Sequence, residues 1–262
     1  MMSGKDTVEK IRKHLDSLTE EEQIEYIKSL YDDERKTIKE IVEKYQLKLA
    51  KKSAEEQRLL NLWKLEENLY QLGYTNVVGV DEAGRGPLAG PVVAGAVILP
   101  PYCFIEGLND SKMVTEKKRS QIAIEIKNKA VAWAIGIVDS TTIEKINILE
   151  ATRYAMVLAV NSLKTPPQYA MVDGMENPLL NIPQSGIVKG DGLSASIAAA
   201  SIIAKTYRDK LMDIYDSLYP GYEFALNKGY GTQQHLVALA EKGACPIHRK
   251  TYAPIKLIAS SN

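Results

Sequence analysis

The sequence predicts an α/β protein: a mixed sheet with flanking helices, plus a small all-helical N-terminal module. Two observations carry this class. Residues 1–70 hold one glycine, Gly4, and no proline, whereas the other 192 residues hold 16 glycines and all 11 prolines. Beyond residue 72, short apolar runs bounded by turn residues alternate with longer amphipathic stretches, in the order β-β-α-β-α-β-β-α. A chain of 262 residues can bury such a core without disulfides or metal struts. The expected division is residues 1–72 as a helical accessory module and 73–262 as the larger domain, ending in C-terminal helices.

In the first part, Val8, Ile11, Leu15 and Leu18 recur at helical spacing. Thr19 and Glu22 form a capping box that opens a second helix through Ile24, Ile27 and Leu30. A third helix is expected from Glu34 to Ala50, with Ile38, Ile41, Val42 and Tyr45 on one face. Ser53 is expected to cap a fourth, carrying Leu59, Leu62, Trp63, Leu65 and Leu69. The second part has strand candidates at 77–82, 92–99, 131–138, 169–172 and 186–188. Its helix candidates are 115–129, 141–145, 149–163, 194–218 and 232–242. In the longest of these, Ile197, Ala200, Ala204, Tyr207, Leu211, Ile214 and Leu218 are spaced as one core-facing stripe. Its first half is rich in Ala and Ser, which lets it press close to a sheet.

The formal net charge is +0, so a polyanion would have to be recruited by a local basic groove rather than by the whole molecule. Hydrophobic residues at 45% and charged residues at 25% exclude a disordered, collagen-like or disulfide-scaffold chain. Cys103 and Cys245 have no metal-type spacing and read as reduced thiols. No apolar run opens the chain, so a cytoplasmic location is expected. Residues 87–105 carry no charge, but Pro87, Gly90, Pro91, Gly95, Pro100 and Pro101 rule out a membrane helix and favour a buried strand.

Chemistry concentrates where apolar strands end. Asp81 and Glu82 close the run Asn76-Val77-Val78-Gly79-Val80. Asp173 closes Ala170-Met171-Val172, and Asp191 follows Gly186-Ile187-Val188-Lys189-Gly190. Each alone also fits a solvated turn or a helix cap. Brought together by a sheet, the four would form an oxygen-only site suited to Mg²⁺ or Mn²⁺ and to phosphodiester hydrolysis. Gly84-Arg85-Gly86 fits either a tight turn or a loop that approaches phosphate closely. Asn109-Asp110-Ser111-Lys112 fits either a helix cap or a phosphate contact. Tyr230, between Gly229 and Gly231, is hard to place in a core and is suited to stacking on a sugar or base. His14, His235 and His248 show no metal or triad spacing.

Taken in order, these motifs resemble the bacterial ribonuclease HII family, within the type 2 ribonucleases H. The resemblance runs through 79–91 (opening Gly79-Val80-Asp81-Glu82-Ala83-Gly84-Arg85-Gly86), 109–112, Val172-Asp173-Gly174, Lys189-Gly190-Asp191, 199–205, Arg208-Asp209, 227–232 and Pro246-Ile247-His248-Arg249. It implies a ribonuclease H-like fold and an endoribonuclease (EC 3.1.26.4) that hydrolyses the RNA strand of RNA–DNA hybrids. It also implies incision at single ribonucleotides in duplex DNA, leaving 5′-phosphate and 3′-hydroxyl, and so a role in ribonucleotide removal. By the same resemblance Asp81, Glu82, Asp173 and Asp191 are the catalytic and metal-binding quartet, with two Mg²⁺ or Mn²⁺ ions in the substrate complex. Asp as the fourth acid favours this type over its HIII relative. Gly84, Arg85, Gly86 and Tyr230 would contact substrate, as would Ser111, Lys112 and Lys205. A monomer acting on nucleic acid, with no membrane partner, is expected. The alternatives are another nuclease or strand-transferase of the same fold, and a non-catalytic hybrid-binding module. Four intact acids weigh against the last, because carboxylates repel phosphate unless a cation neutralises them.

Overall fold

A computed structural model describes residues 7–253, 255 and 256. It divides into two compact units, 1–58 and 59–262. The first unit holds α1 (Val8–Ser17), α2 (Glu20–Ser29) and all but the last four residues of α3 (Lys36–Leu62). The capping box is present: Thr19 accepts from the Glu22 amide, while the Glu22 carboxylate accepts from the Thr19 N–H at 2.8 Å. Ile11, Leu15, Ile27, Ile38 and Val42 form this unit's core. Ser53 caps nothing, because α3 runs straight through it. No Gly or Pro interrupts 36–62, and one mid-helix Ser costs only a few tenths of a kcal/mol, on the order of 0.5. The helix ends at Trp63 instead, and α4 (Lys64–Gln71) follows.

The second unit begins at Leu59, short of the composition shift near residue 72. Leu59, Leu62 and Trp63 pack with Leu99, Ile105, Ile126 and Ala199, so the end of the helical stretch belongs to this unit's core. Its strands are β1 (Val77–Ala83), β2 (Val92–Ile98), β3 (Ala132–Val138), β4 (Tyr169–Asp173) and β5 (Gln184–Ile187). They are ordered β3-β2-β1-β4-β5. The β1–β2 and β2–β3 pairs are antiparallel, whereas β1–β4 and β4–β5 are parallel. The helices are α5 (Glu116–Lys129), α6 (Ser140–Asn161), α7 (Ala195–Leu218), α8 (Phe224–Asn227) and α9 (Gln233–Lys242). Asn147, at φ 66°, kinks α6 between the two helices that the sequence predicts there.

Side chains alternate across a strand, which gives β1 two apolar contacts. Val78 and Val80 face the core under α6, and Gly79 faces α7. The Ala/Ser-rich start of α7 does press onto the sheet. A Cβ on Gly79 would lie 2.1 Å from the Ser196 carbonyl carbon, and one on Gly95 would lie 2.4 Å from Ala200 O. The core stripe holds for Ile197, Ala200 and Ala204 but not for Ile214 and Leu218, which are exposed. Beyond Ala204 the helix buries Thr206, Arg208, Asp209 and Met212 instead, because there it packs on a loop rich in backbone carbonyls. Among the described residues, no helix is long and apolar enough to cross a membrane.

The unit boundary sets a deletion experiment. Removing residues 1–58 should leave a folded chain that still incises. Removing 1–72 takes away Trp63, which is 2% exposed, together with Leu59 and Leu62. That loss should cost about 3–5 kcal/mol or more. Thermal midpoints of the two deletions check this, and equal midpoints would refute the boundary.

Candidate active site

Because β1, β4 and β5 are parallel, their C-terminal ends lie along one edge of the sheet. Val80 pairs with Val172 and Asp173 with Ile187. The next step of the ladder therefore sets Asp81 beside Asp173. Asp191 does not end a strand as the sequence suggests. It sits on a short 3-10 turn, Gly190–Gly192, between β5 and α7. That turn is tied to the neighbouring acid, since the Gly190 N–H donates to Asp173 Oδ1 at 2.7 Å.

The four carboxylates lie close enough to influence one another. Burial first, then Glu82 and Asp173, push the Asp81 carboxyl well above its ordinary range. Ser201 and the Glu82 N–H, at 2.7 Å from Asp81 Oδ1, offset part of this. Burial also raises Glu82, against the pull of Arg85, whose Nη1 lies 3.2 Å away. Asp191 is raised by burial, Asp110 and Asp173, and lowered by Lys112, whose Nζ is 3.9 Å from it. Among the described residues no three His, Cys, Asp or Glu side chains are already drawn to metal-binding spacing. The donor set fits a hard cation nonetheless. It is all carboxylate oxygen, held in β1 and β4 and on the turn before α7, and its excess negative charge is what a divalent ion neutralises.

The loop after β1 is held by two buried arginines. Arg249 donates to the carbonyls of Gly84 (2.5 Å), Arg85 (2.9 Å) and Gly90 (2.8 Å). Arg208 donates to Ala89, Pro91 and Lys228 carbonyls at 3.1, 3.0 and 2.9 Å. Gly84, at φ 96°, leaves room for Arg208, whose Nε would lie 2.1 Å from a Cβ there. Arg85 and Gly86 remain exposed. The Tyr230 ring is 48% exposed and flanks Gly86, with Cε1 3.6 Å from where a Cβ would stand. Tyr230 O is anchored by His235 Nδ1 at 2.9 Å, and His235 Nε2 meets His248 Nε2 at 2.9 Å. Those two buried histidines thus support the loop, whereas His14 belongs to the first unit.

Of the remaining predicted contacts, Lys112 is exposed beside the acids. Ser111 is buried, and its hydroxyl meets Ser201 Oγ at 2.9 Å. Lys205 turns to Asp209 at 2.6 Å, which also holds Arg119 at 2.9 Å. Sequence reasoning left Arg208, Arg249, Asp110 and Glu66 out of the site. Arg208 and Arg249 had a signal, since both lie in motifs that carry the family resemblance.

Sheet order and acid-lined edge together define a ribonuclease H-like enzyme. The family model for Ribonuclease HII matches residues 78–255, and that for the Ribonuclease HII N-terminal domain matches 7–70. The chain belongs to the ribonuclease HII family, endoribonucleases acting on RNA–DNA hybrids (EC 3.1.26.4). Ribonuclease HII of Desulfitobacterium hafniense is 47% identical over 246 residues, covering 94% of this chain and 95% of that protein. The crystal structure of ribonuclease H2 from Pyrococcus horikoshii superposes with a TM-score of 0.60 at 27% identity, covering 71% of this chain and 98% of that one. The Mn²⁺ complex of Bst-RNase HIII superposes at 0.58 with 19% identity, covering 73% and 71%, which is a likeness of fold.

Proposed function

We propose that Asp81, Glu82, Asp173 and Asp191 bind Mg²⁺ or Mn²⁺, two ions in the substrate complex, and that the chain, as a monomer, incises at single ribonucleotides in duplex DNA as well as in hybrids. The observation that carries this is the β1–β4 register, which sets Asp81 beside Asp173 at one edge of the sheet, where burial and the neighbouring acids raise the Asp81 carboxyl. The Mn²⁺ complex of the Bst relative supports the class of cation. Divalent ions held by Asp81, Glu82, Asp173 and Asp191 would supply Lewis acidity for hydrolysis of the phosphodiester to 5′-phosphate and 3′-hydroxyl. The chain's own groups do the rest. The quartet holds the ions; exposed Lys112 offers a positive charge to phosphate beside them. Gly84, Arg85 and Gly86 bring main chain and guanidinium to the ribonucleotide, whose 2′-hydroxyl is the feature that separates it from DNA. Tyr230 stacks at the RNA–DNA junction. Ser111 and Lys205, engaged with Ser201 and Asp209, brace the site from behind.

Three duplexes test this, alike except for no ribonucleotide, one, or a full RNA strand. The native chain should cut the second and third only, and only with added Mg²⁺ or Mn²⁺. Tyr230→Ala should cut the single-ribonucleotide duplex about ten- to a hundredfold more slowly, from ~1–3 kcal/mol of lost stacking. Its thermal midpoint should stay native. A lowered midpoint with equal loss on both substrates would make Tyr230 a packing residue, and cutting of all-DNA duplex would sink the substrate assignment.

A further inference from the structure

We propose that Glu66 is a positioning residue of the catalytic centre: its buried carboxylate anchors the first turn of α7 and, through it, the turn that carries Asp191. This rests on the reading of the four carboxylates given above.

Glu66 lies in the first turn of α4 and is 0% exposed. Its Oε1 accepts from Ser194 Oγ at 2.7 Å and from the Ser196 N–H at 2.8 Å, the latter among the free amides that open α7. Its Oε2 is buried with no hydrogen-bond partner. A leucine would fill the same volume without burying a charge, so the carboxylate is costly as packing alone. What it adds is a hydrogen-bond acceptor at the amino end of a 24-residue helix.

That helix end is where the site's supports converge. Ser194 N–H and Leu193 N–H both donate to Gly190 O, at 2.8 and 2.9 Å, closing the turn around Asp191. Gly190 N–H holds Asp173. A Cβ on Gly190 would lie 2.6 Å from Ile197 Cδ1, so the turn is wedged against α7. Ser196 and Ile197 backbone atoms press on Gly79, two residues before Asp81 on the same face of β1. These contacts leave no slack to absorb a shift in the first turn of α7, so a shift passes to Asp191, Asp173 and Asp81. Misplacement of reacting groups by about 1 Å costs on the order of a hundredfold in rate.

The test uses the full chain with Glu66→Leu, Glu66→Gln, Ser194→Ala and Asp191→Asn. Three quantities are read: thermal midpoint, kcat and KM on a single-ribonucleotide duplex, and Mn²⁺ affinity of the substrate-free protein by calorimetry. Glu66→Leu should keep or raise the midpoint, yet lose ten- to a hundredfold in kcat at unchanged KM and bind Mn²⁺ several-fold more weakly. Glu66→Gln keeps an acceptor oxygen and should recover most of that loss. Ser194→Ala removes the partner from the helix side and should reproduce the kcat loss in a folded protein, which keeps the test decisive if Glu66→Leu does not fold. Native kcat and Mn²⁺ affinity in Ser194→Ala or Glu66→Leu would overturn the proposal, as would a kcat loss that follows a lowered midpoint and vanishes on cooling. If Asp191→Asn is itself fully active, the reading of the carboxylates fails instead.

Discussion

Asp81→Asn should abolish turnover and at the same time stabilise the cation-free protein. The rate should fall on the order of 10³-fold or more, since losing one charge of the quartet proposed to hold the cations would remove several kcal/mol, ~4 or more, of transition-state stabilisation. Stability should move the other way because Asp81 is buried against Glu82 and Asp173 and holds its proton more tightly folded than unfolded. For such a group the folded state is favoured at acid pH, and that advantage is lost as pH rises from the unfolded carboxylate value near ~4 through the raised folded one. Asn keeps the Oδ1 acceptor for the Glu82 N–H and removes the repelled charge. The midpoint should therefore rise by a few degrees at pH 8 and change little at acid pH, at roughly 2–4 °C per kcal/mol for a chain of this size. Added Mg²⁺ should raise the native midpoint at pH 8 more than that of the variant. Near-native incision by Asp81→Asn, or a lower midpoint at pH 8, would remove Asp81 from the centre.

Arg249→Lys should damage both fold and activity although charge is conserved. Arg249 is fully buried, and its fork spans three carbonyls, those of Gly84, Arg85 and Gly90. An ammonium is a point donor and cannot reach all three, so buried carbonyls are left bare at about 1–3 kcal/mol each. A loss of about 3 kcal/mol lowers the midpoint by ~6–12 °C. The loop carrying Arg85 and Gly86 is then released, and KM for ribonucleotide-containing duplex should rise as well. A native midpoint would show that the fork is dispensable.

Strand positions were legible because each apolar run is closed by glycine, proline or an acid, and all five lie within two residues of expectation. The helix cap at Thr19 was legible too, since the capping residue and the first turn are adjacent in sequence. The four acids stood out by repeating one local pattern. Their convergence did not follow from that pattern: it depends on the parallel β1–β4 pairing, which joins residues about 90 positions apart, and on the β4–β5 pairing beside it. Arg208, Arg249 and Glu66 escaped notice for a physical reason. A charged side chain is expected at the surface unless its partners are known, and these partners, backbone groups and the Ser194 hydroxyl, are distant in sequence. Ser53 misled because a good cap residue is also tolerated inside a long helix.

The inward carbonyls of the loop after β1 dictate what its amides do. Every peptide bond described is trans, so the N–H of each unit points opposite to its C=O. With Gly84 O and Arg85 O both turned to the Arg249 guanidinium, the N–H groups of Arg85 and Gly86 turn away from it. Both residues are exposed, and among the described residues neither amide donates to a protein acceptor. Two adjacent main-chain donors are thus presented outward, with no side-chain rotamer to freeze when they meet an oxygen. A sugar hydroxyl read in this way is read by the orientation of two peptide planes, and the residue that sets that orientation lies more than 160 positions further along the chain.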